Sequence, residues 1–146
     1  MKKNIFLFIL CFTTLSQVQA QEWFTNMEDA KTRATLEEKI IVLVFQGSDW
    51  CAPCIKLNKE IFESKTFRLY AENHFIMVQA DFPKRKKNAL TPELQSHNNA
   101  LAERYNKRGI FPLVVVLNEG GAVLGETGYL KTTPEKYILE LENLTK

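Results

Sequence analysis

The sequence predicts an α/β layered domain: a mixed β-sheet of about four to five strands flanked by helices on both faces. Three observations carry that expectation. Ile40–Phe45, Phe75–Phe82 and Leu113–Leu117 are short apolar, β-branched runs of the kind that form strands buried on both faces. Segments with helix-capping signals alternate with these runs. A turn signal, Asn118–Gly121, follows the third run and adds one antiparallel strand, Ala122–Glu126.

The chain opens with Lys2 and Lys3, an apolar stretch Ile5–Phe12, and a polar tail ending in Val18-Gln19-Ala20. This is the layout of an export signal, and residues 1–20 are expected to be cleaved after Ala20. The apolar stretch is too short to span a bilayer, which takes about 20 residues. Leu10 before Cys11 disfavours a lipid anchor there. The remaining 21–146 form one domain, exported to the periplasm or an equivalent compartment.

Removing Lys2 and Lys3 from 19 basic residues leaves 17, equal to the 17 acidic ones. A neutral chain gives no electrostatic argument for a nucleic-acid partner. The neutral balance and single core point to a monomer.

The elements follow in order. Asn26–Lys39 lacks Gly and Pro, has Thr25 or Asn26 as cap, and carries Glu28 and Asp29 in its first turn. The first strand, Ile40–Phe45, leads through the loop Gln46–Trp50 to a helix opening near Cys51. Pro53 lies in its first turn, where a missing N–H costs nothing. That helix is expected to reach Glu63, with Ser64 recapping a piece from Lys65 to Glu72. Phe75–Phe82 is the second strand. The loop Pro83–Asn88 holds four consecutive cations, Lys84 to Lys87, and reads as a solvated loop or a docking point for an acidic partner. Thr91-Pro92-Glu93 opens a helix to Asn106, and Thr133-Pro134 opens the last, to Leu144.

Cys51 and Cys54 are the only cysteines once Cys11 is removed. Three readings stand open: a redox pair, half of a metal site, or a structural staple. A staple three positions long closes almost no loop and stabilises little. A zinc site needs further ligands, and His74 and His97 do not stand at finger spacing. A redox pair needs a thiolate, which a helix N-terminus favours, and a second thiol one turn further in. The placement suits that reading, with Cys51 exposed and Cys54 more buried.

Trp50-Cys51-Ala52-Pro53-Cys54 after a buried strand, Phe111-Pro112 heading the third strand, the Asn118–Gly121 hairpin, and Gly125 with Gly128-Tyr129 before the last helix together resemble the thioredoxin superfamily. The resemblance covers essentially the whole chain after Ala20 and is nearest in character to exported bacterial thioredoxin-like proteins. It implies a thioredoxin-like fold and thiol–disulfide exchange on protein substrates. Cys51 would be the nucleophile and Cys54 the resolving thiol. Trp50, Ala52, Pro53, Phe111 and Pro112 would border the substrate, with the Phe111–Pro112 bond cis. No metal or organic cofactor is called for, because the electrons reside in the cysteine pair. The Ala52-Pro53 spacer leans towards a reductant, supplied by an upstream membrane dithiol donor.

The chain departs from the pattern in three places. The family's buried Asp six positions before the first cysteine is here Phe45, so no base for Cys54 is named. The segment Asn106–Ile110 is one residue longer than usual. Leu113 replaces the common Thr after the proline, which implies a more apolar groove. The alternative in a different class is a thioredoxin-fold binding module, holding a client peptide or a metal without net redox turnover.

Overall fold

The computed structural model describes residues 21–146. The expected leader, with Cys11, lies outside the described residues.

Five strands form one sheet: β1 (Trp23–Phe24), β2 (Ile40–Gln46), β3 (Phe75–Asp81), β4 (Leu113–Leu117) and β5 (Val123–Thr127), in the order β1-β3-β2-β4-β5. β3 runs parallel to both β1 and β2, while β4 is antiparallel to β2 and to β5. The sheet is therefore mixed, as expected. β1 was not anticipated. It is two residues long, and Trp23 and Phe24 become a strand only by pairing with Met77 and Val78.

Strand alternation divides the core into two layers. Ile41, Leu43 and Phe45 of β2 point to a face covered by α1 (Met27–Glu37) and α4 (Pro92–Tyr105), where they join Met27, Ala30, Ala34 and Leu101. Val42 and Val44 point to the other face. There they meet α2 (Ala52–Leu57), α3 (Lys65–His74) and α5 (Pro134–Asn143) through Leu57, Phe67, Tyr137 and Leu141.

The caps act as the sequence indicated. The Asn26 carboxamide oxygen accepts from the Glu28 and Asp29 N–H groups at 2.8 and 3.3 Å. Ser64 caps α3 through the Phe67 N–H, and Thr91 caps α4 through that of Leu94. Each satisfies a donor that the first helical turn leaves without a partner.

The expected single helix from Cys51 to Glu63 is not continuous. α2 ends at Leu57, and Asn58–Phe62 form a π-helical turn, closed by Glu63 N–H donating to the Asn58 carbonyl at 2.8 Å. The wider turn buries the consecutive Ile61 and Phe62. It also leaves Asn58, Lys59 and Glu63 on the side nearest Cys54.

Candidate active site

β2 ends at Gln46, beneath the dithiol, and the chain turns tightly through Gly47-Ser48-Asp49-Trp50. The Trp50 and Cys51 N–H groups both donate to the Gly47 carbonyl, at 3.3 and 2.9 Å. This turn delivers Cys51 as the cap residue of α2. Cys51 and Cys54 are joined as a disulfide, with Cα atoms 5.2 Å apart. The Cys51 sulfur accepts from the Cys54 N–H at 3.3 Å.

The expected contrast in exposure is absent from this oxidised form: Cys51 is 4% and Cys54 3% exposed. The Cys51 sulfur is bonded to that of Cys54 and accepts the Cys54 N–H, so both of its contacts lie within the turn. Ala52 and Pro53, between the cysteines, are exposed.

Trp50 is held from three sides. Its indole N–H donates to the Phe82 carbonyl at 2.7 Å. Its ring meets Phe111 edge to face, centroids 5.5 Å apart, and Phe111 meets Phe82 in the same manner at 5.5 Å. The Lys84 ammonium sits 3.8 Å from the ring centroid of Trp50, a cation–π contact. Trp50 and Phe111 are the chain neighbours of Cys51 and Pro112, so this contact ties the dithiol turn to the proline loop.

The Phe111–Pro112 peptide bond is cis and Pro112 is buried. Asn106 holds the loop that precedes it. Its side chain accepts from the Ile110 N–H at 2.9 Å and donates to the Ile110 carbonyl at 2.8 Å. Gly109, at φ 62°, supplies the left-handed turn between them. The segment Asn106–Ile110 is thus closed on itself by one buried amide. Sequence reasoning passed over Asn106, although an Asn at a helix end followed three residues later by Gly is a recognisable turn signal. Gly128 adjoins from the other side: a Cβ there would lie 3.3 Å from the Pro112 carbonyl.

Leu113 does not make the groove more apolar. It pairs with Phe45 across β2 and β4, shares its face, and packs in the α1–α4 core. Phe45 occupies that layer too, fully buried. The polar surroundings of Cys54 come from elsewhere. Cys54 lines an open cleft of about 230 Å3 with the apolar Ile55 and with Gln46, Ser48, Asn58, Lys59 and Glu63. Within it the Asn58 amide donates to the Glu63 carboxylate at 2.7 Å.

Two aspartates brace the turn. The Asp81 carboxylate accepts from the Ser48 N–H and hydroxyl at 2.9 and 2.6 Å. The Asp49 carboxylate is not free in solvent. It accepts from the Lys84 and Arg85 N–H groups and the Asn88 amide, each at 2.9 Å. The Lys84 N–H bond, with the Asn88 and Arg85 contacts, holds Asp49 below the usual carboxylate range, against the opposing effect of partial desolvation.

The two histidines have structural roles. His97 accepts from the Met27 N–H at 3.3 Å, and the His74 ring stacks on Tyr70 at 3.9 Å. Among the described residues, no group of three or more His, Cys, Asp or Glu side chains is arranged to hold a metal ion. No helix among them is long and apolar enough to cross a membrane.

Comparison with known proteins agrees with this geometry. Disulfide bond reductase DsbH of Chlamydia pneumoniae is 32% identical over 125 residues, covering 86% of this chain and 73% of that protein. A solved structure of a DsbH oxidoreductase superposes with a TM-score of 0.79 at 29% identity, covering 87% of this chain and 85% of the other. A thioredoxin from Thermus thermophilus shares the fold at TM-score 0.61 and 18% identity, over 86% of this chain and 88% of its own. The thioredoxin-like family profile matches residues 22–119, and on that match and these likenesses the chain belongs to the thioredoxin-like family.

Proposed function

We propose that the protein is an exported thiol–disulfide oxidoreductase that reduces disulfides in protein clients. The observation that carries this reading is the Cys51–Cys54 disulfide at the head of α2, beside the Phe111–Pro112 loop. The name of the Chlamydia pneumoniae relative supports the reductive direction.

In the reduced protein, the start of α2 favours a thiolate at Cys51. That thiolate attacks a client disulfide, forms a mixed disulfide and releases one client sulfur as a thiolate. Cys54 then loses its proton and attacks the Cys51 sulfur. The second client sulfur leaves, and the Cys51–Cys54 disulfide remains. Two electrons have passed to the client. The cleft lined by Asn58, Lys59 and Glu63 gives the Cys54 proton a route out of a buried position. Trp50, Ala52, Pro53, Phe111 and Pro112 border the client chain. An upstream membrane dithiol protein restores the reduced pair, and the chain acts as a monomer after cleavage at Ala20.

The test is Cys54→Ser in the chain from Gln21. An oxidoreductase accumulates client proteins as mixed disulfides on Cys51, released by dithiothreitol, while Cys51→Ser traps none. A module that holds peptides non-covalently traps nothing in either variant, and that result overturns the reading. The reduction potential fixes the direction: roughly −270 mV marks a reductant, and roughly −120 mV a protein that introduces disulfides.

A further inference from the structure

The basic loop beside the dithiol is an anchored feature. Lys84, Arg85, Lys86 and Lys87 are all exposed. None of them forms an ion pair with a carboxylate among the described residues, where the pairs involve Lys31, Arg33, Lys39 and Arg108. Asp49 lies next to the loop, but its carboxylate is taken up by two backbone N–H groups and the Asn88 amide. The loop is therefore held by its backbone and by Asn88, the Lys84 ammonium lies on Trp50, and Arg85, Lys86 and Lys87 are left exposed. Arg85–Asn88 are further stiffened by a 3-10 turn over Lys86–Asn88.

The position of this loop is also fixed. It leaves β3 through Phe82, whose carbonyl accepts the Trp50 indole N–H, and Lys84 lies on the Trp50 ring. Phe111, Trp50 and Lys84 touch in series beside Cys51, and the three exposed cations Arg85, Lys86 and Lys87 follow Lys84 directly in the chain. Asp49 and Asp81 contribute two carboxylates to this corner, against four cations. The chain from Gln21 is neutral overall, so this is a local concentration of charge.

We propose that this loop is a docking surface for acidic residues flanking the reactive cysteine of a client polypeptide. The inference rests on the oxidoreductase reading and names its substrate class. The aromatic floor takes the client backbone and apolar side chains. The cations beyond it select carboxylates, and they raise the encounter rate of acidic segments. Anchoring by Asp49 lowers the cost of ordering the loop on binding.

The experiment uses the reduced chain from Gln21 and three disulfide-bonded peptides that differ only in the residues beside the cysteine: Glu, Gln or Lys. Rates are measured at low and high salt, with neutral 2-hydroxyethyl disulfide as the reference. The Glu peptide is expected to react about tenfold faster than the Gln peptide at low ionic strength, the Lys peptide slowest, with the spread closing in high salt. In the triple variant Arg85→Ser, Lys86→Ser, Lys87→Ser, the Glu-to-Gln ratio falls to about one. Lys84 is left in place because it packs on Trp50. Equal rates for the three peptides in the unaltered protein overturn the docking surface and leave the oxidoreductase reading standing. No reduction of any of the three peptides or of 2-hydroxyethyl disulfide overturns that reading, and this inference with it.

Discussion

The indole of Trp50 lies against Gly47 so closely that a Cβ on Gly47 would fall 2.3 Å from Trp50 Cε2 and 2.4 Å from Nε1. No real pair of atoms tolerates that approach, so Gly47→Ala must push the ring off its seat. The ring cannot move without losing the Phe82 hydrogen bond and the Phe111 contact. The variant is expected to lose about 1–3 kcal/mol of stability by overpacking and to reduce small disulfides more slowly. Thermal melts and stopped-flow rates check both. An unchanged melting temperature would show that the ring has another place to sit.

Asn106→Ala removes both side-chain bonds to Ile110. One buried amide is lost and two backbone groups are left to find water, which costs about 1–3 kcal/mol. The Trp50–Phe111 contact should loosen with the loop, raising KM for peptide clients more than it lowers kcat. Asn106→Asp keeps the acceptor for the Ile110 N–H but sets a buried carboxylate oxygen against the Ile110 carbonyl, so at neutral pH it should be at least as destabilised as Asn106→Ala. Denaturant unfolding ranks the three proteins.

The anchor at Asp49 has a defined pH window. Its folded-state carboxyl is lowered from the ordinary 3.8, so the anchor is at full strength above that value. It is lost as pH falls through the lowered folded value. Hydrogen exchange at the Lys84 and Arg85 amides should follow: protection steady from neutral pH down to the ordinary carboxylate range, then failing. Asp49→Ala should abolish that protection at every pH.

Tyr70 gives an alkaline counterpart. Burial first, then the hydrogen bond from its hydroxyl to the Glu142 carboxylate, pushes its ionisation up to about 12. The stabilisation is present below the ordinary value of 10.0 and disappears as pH rises through about 12. Tyr70→Phe should be less stable at neutral pH, and the difference should vanish in strong alkali. A tyrosinate absorbance titration, with and without the substitution, separates Tyr70 from Tyr137, which burial pushes higher still.

Much of this could be read from local residue choices. Ser64, Thr91 and Thr133 announce helix starts whatever surrounds them, because the cap bond forms within one turn. The apolar runs at Ile40, Phe75 and Leu113 announce buried strands for the same local reason. What escaped depends on partners far along the chain. Trp23 and Phe24 have no strand pattern of their own and are set by β3. Asp49 was legible as a nearby acid, but not as the anchor of a loop 35 residues later. Leu113 was read as groove-lining because its neighbour is Pro112. Strand register with Phe45 decides instead, and sends its side chain into the core.

The chain has two tryptophans, and they occupy opposite situations. Trp23, in β1, packs edge to face on Phe62 and is not a chain neighbour of either cysteine. Trp50 directly precedes the sulfur that is bonded in one state and free in the other. Disulfides quench nearby indole emission, so the two oxidation states should differ in brightness through Trp50, and Trp23→Phe should leave that difference in place. The molecule carries its own optical readout of electron transfer, and every turnover can be followed in unlabelled protein.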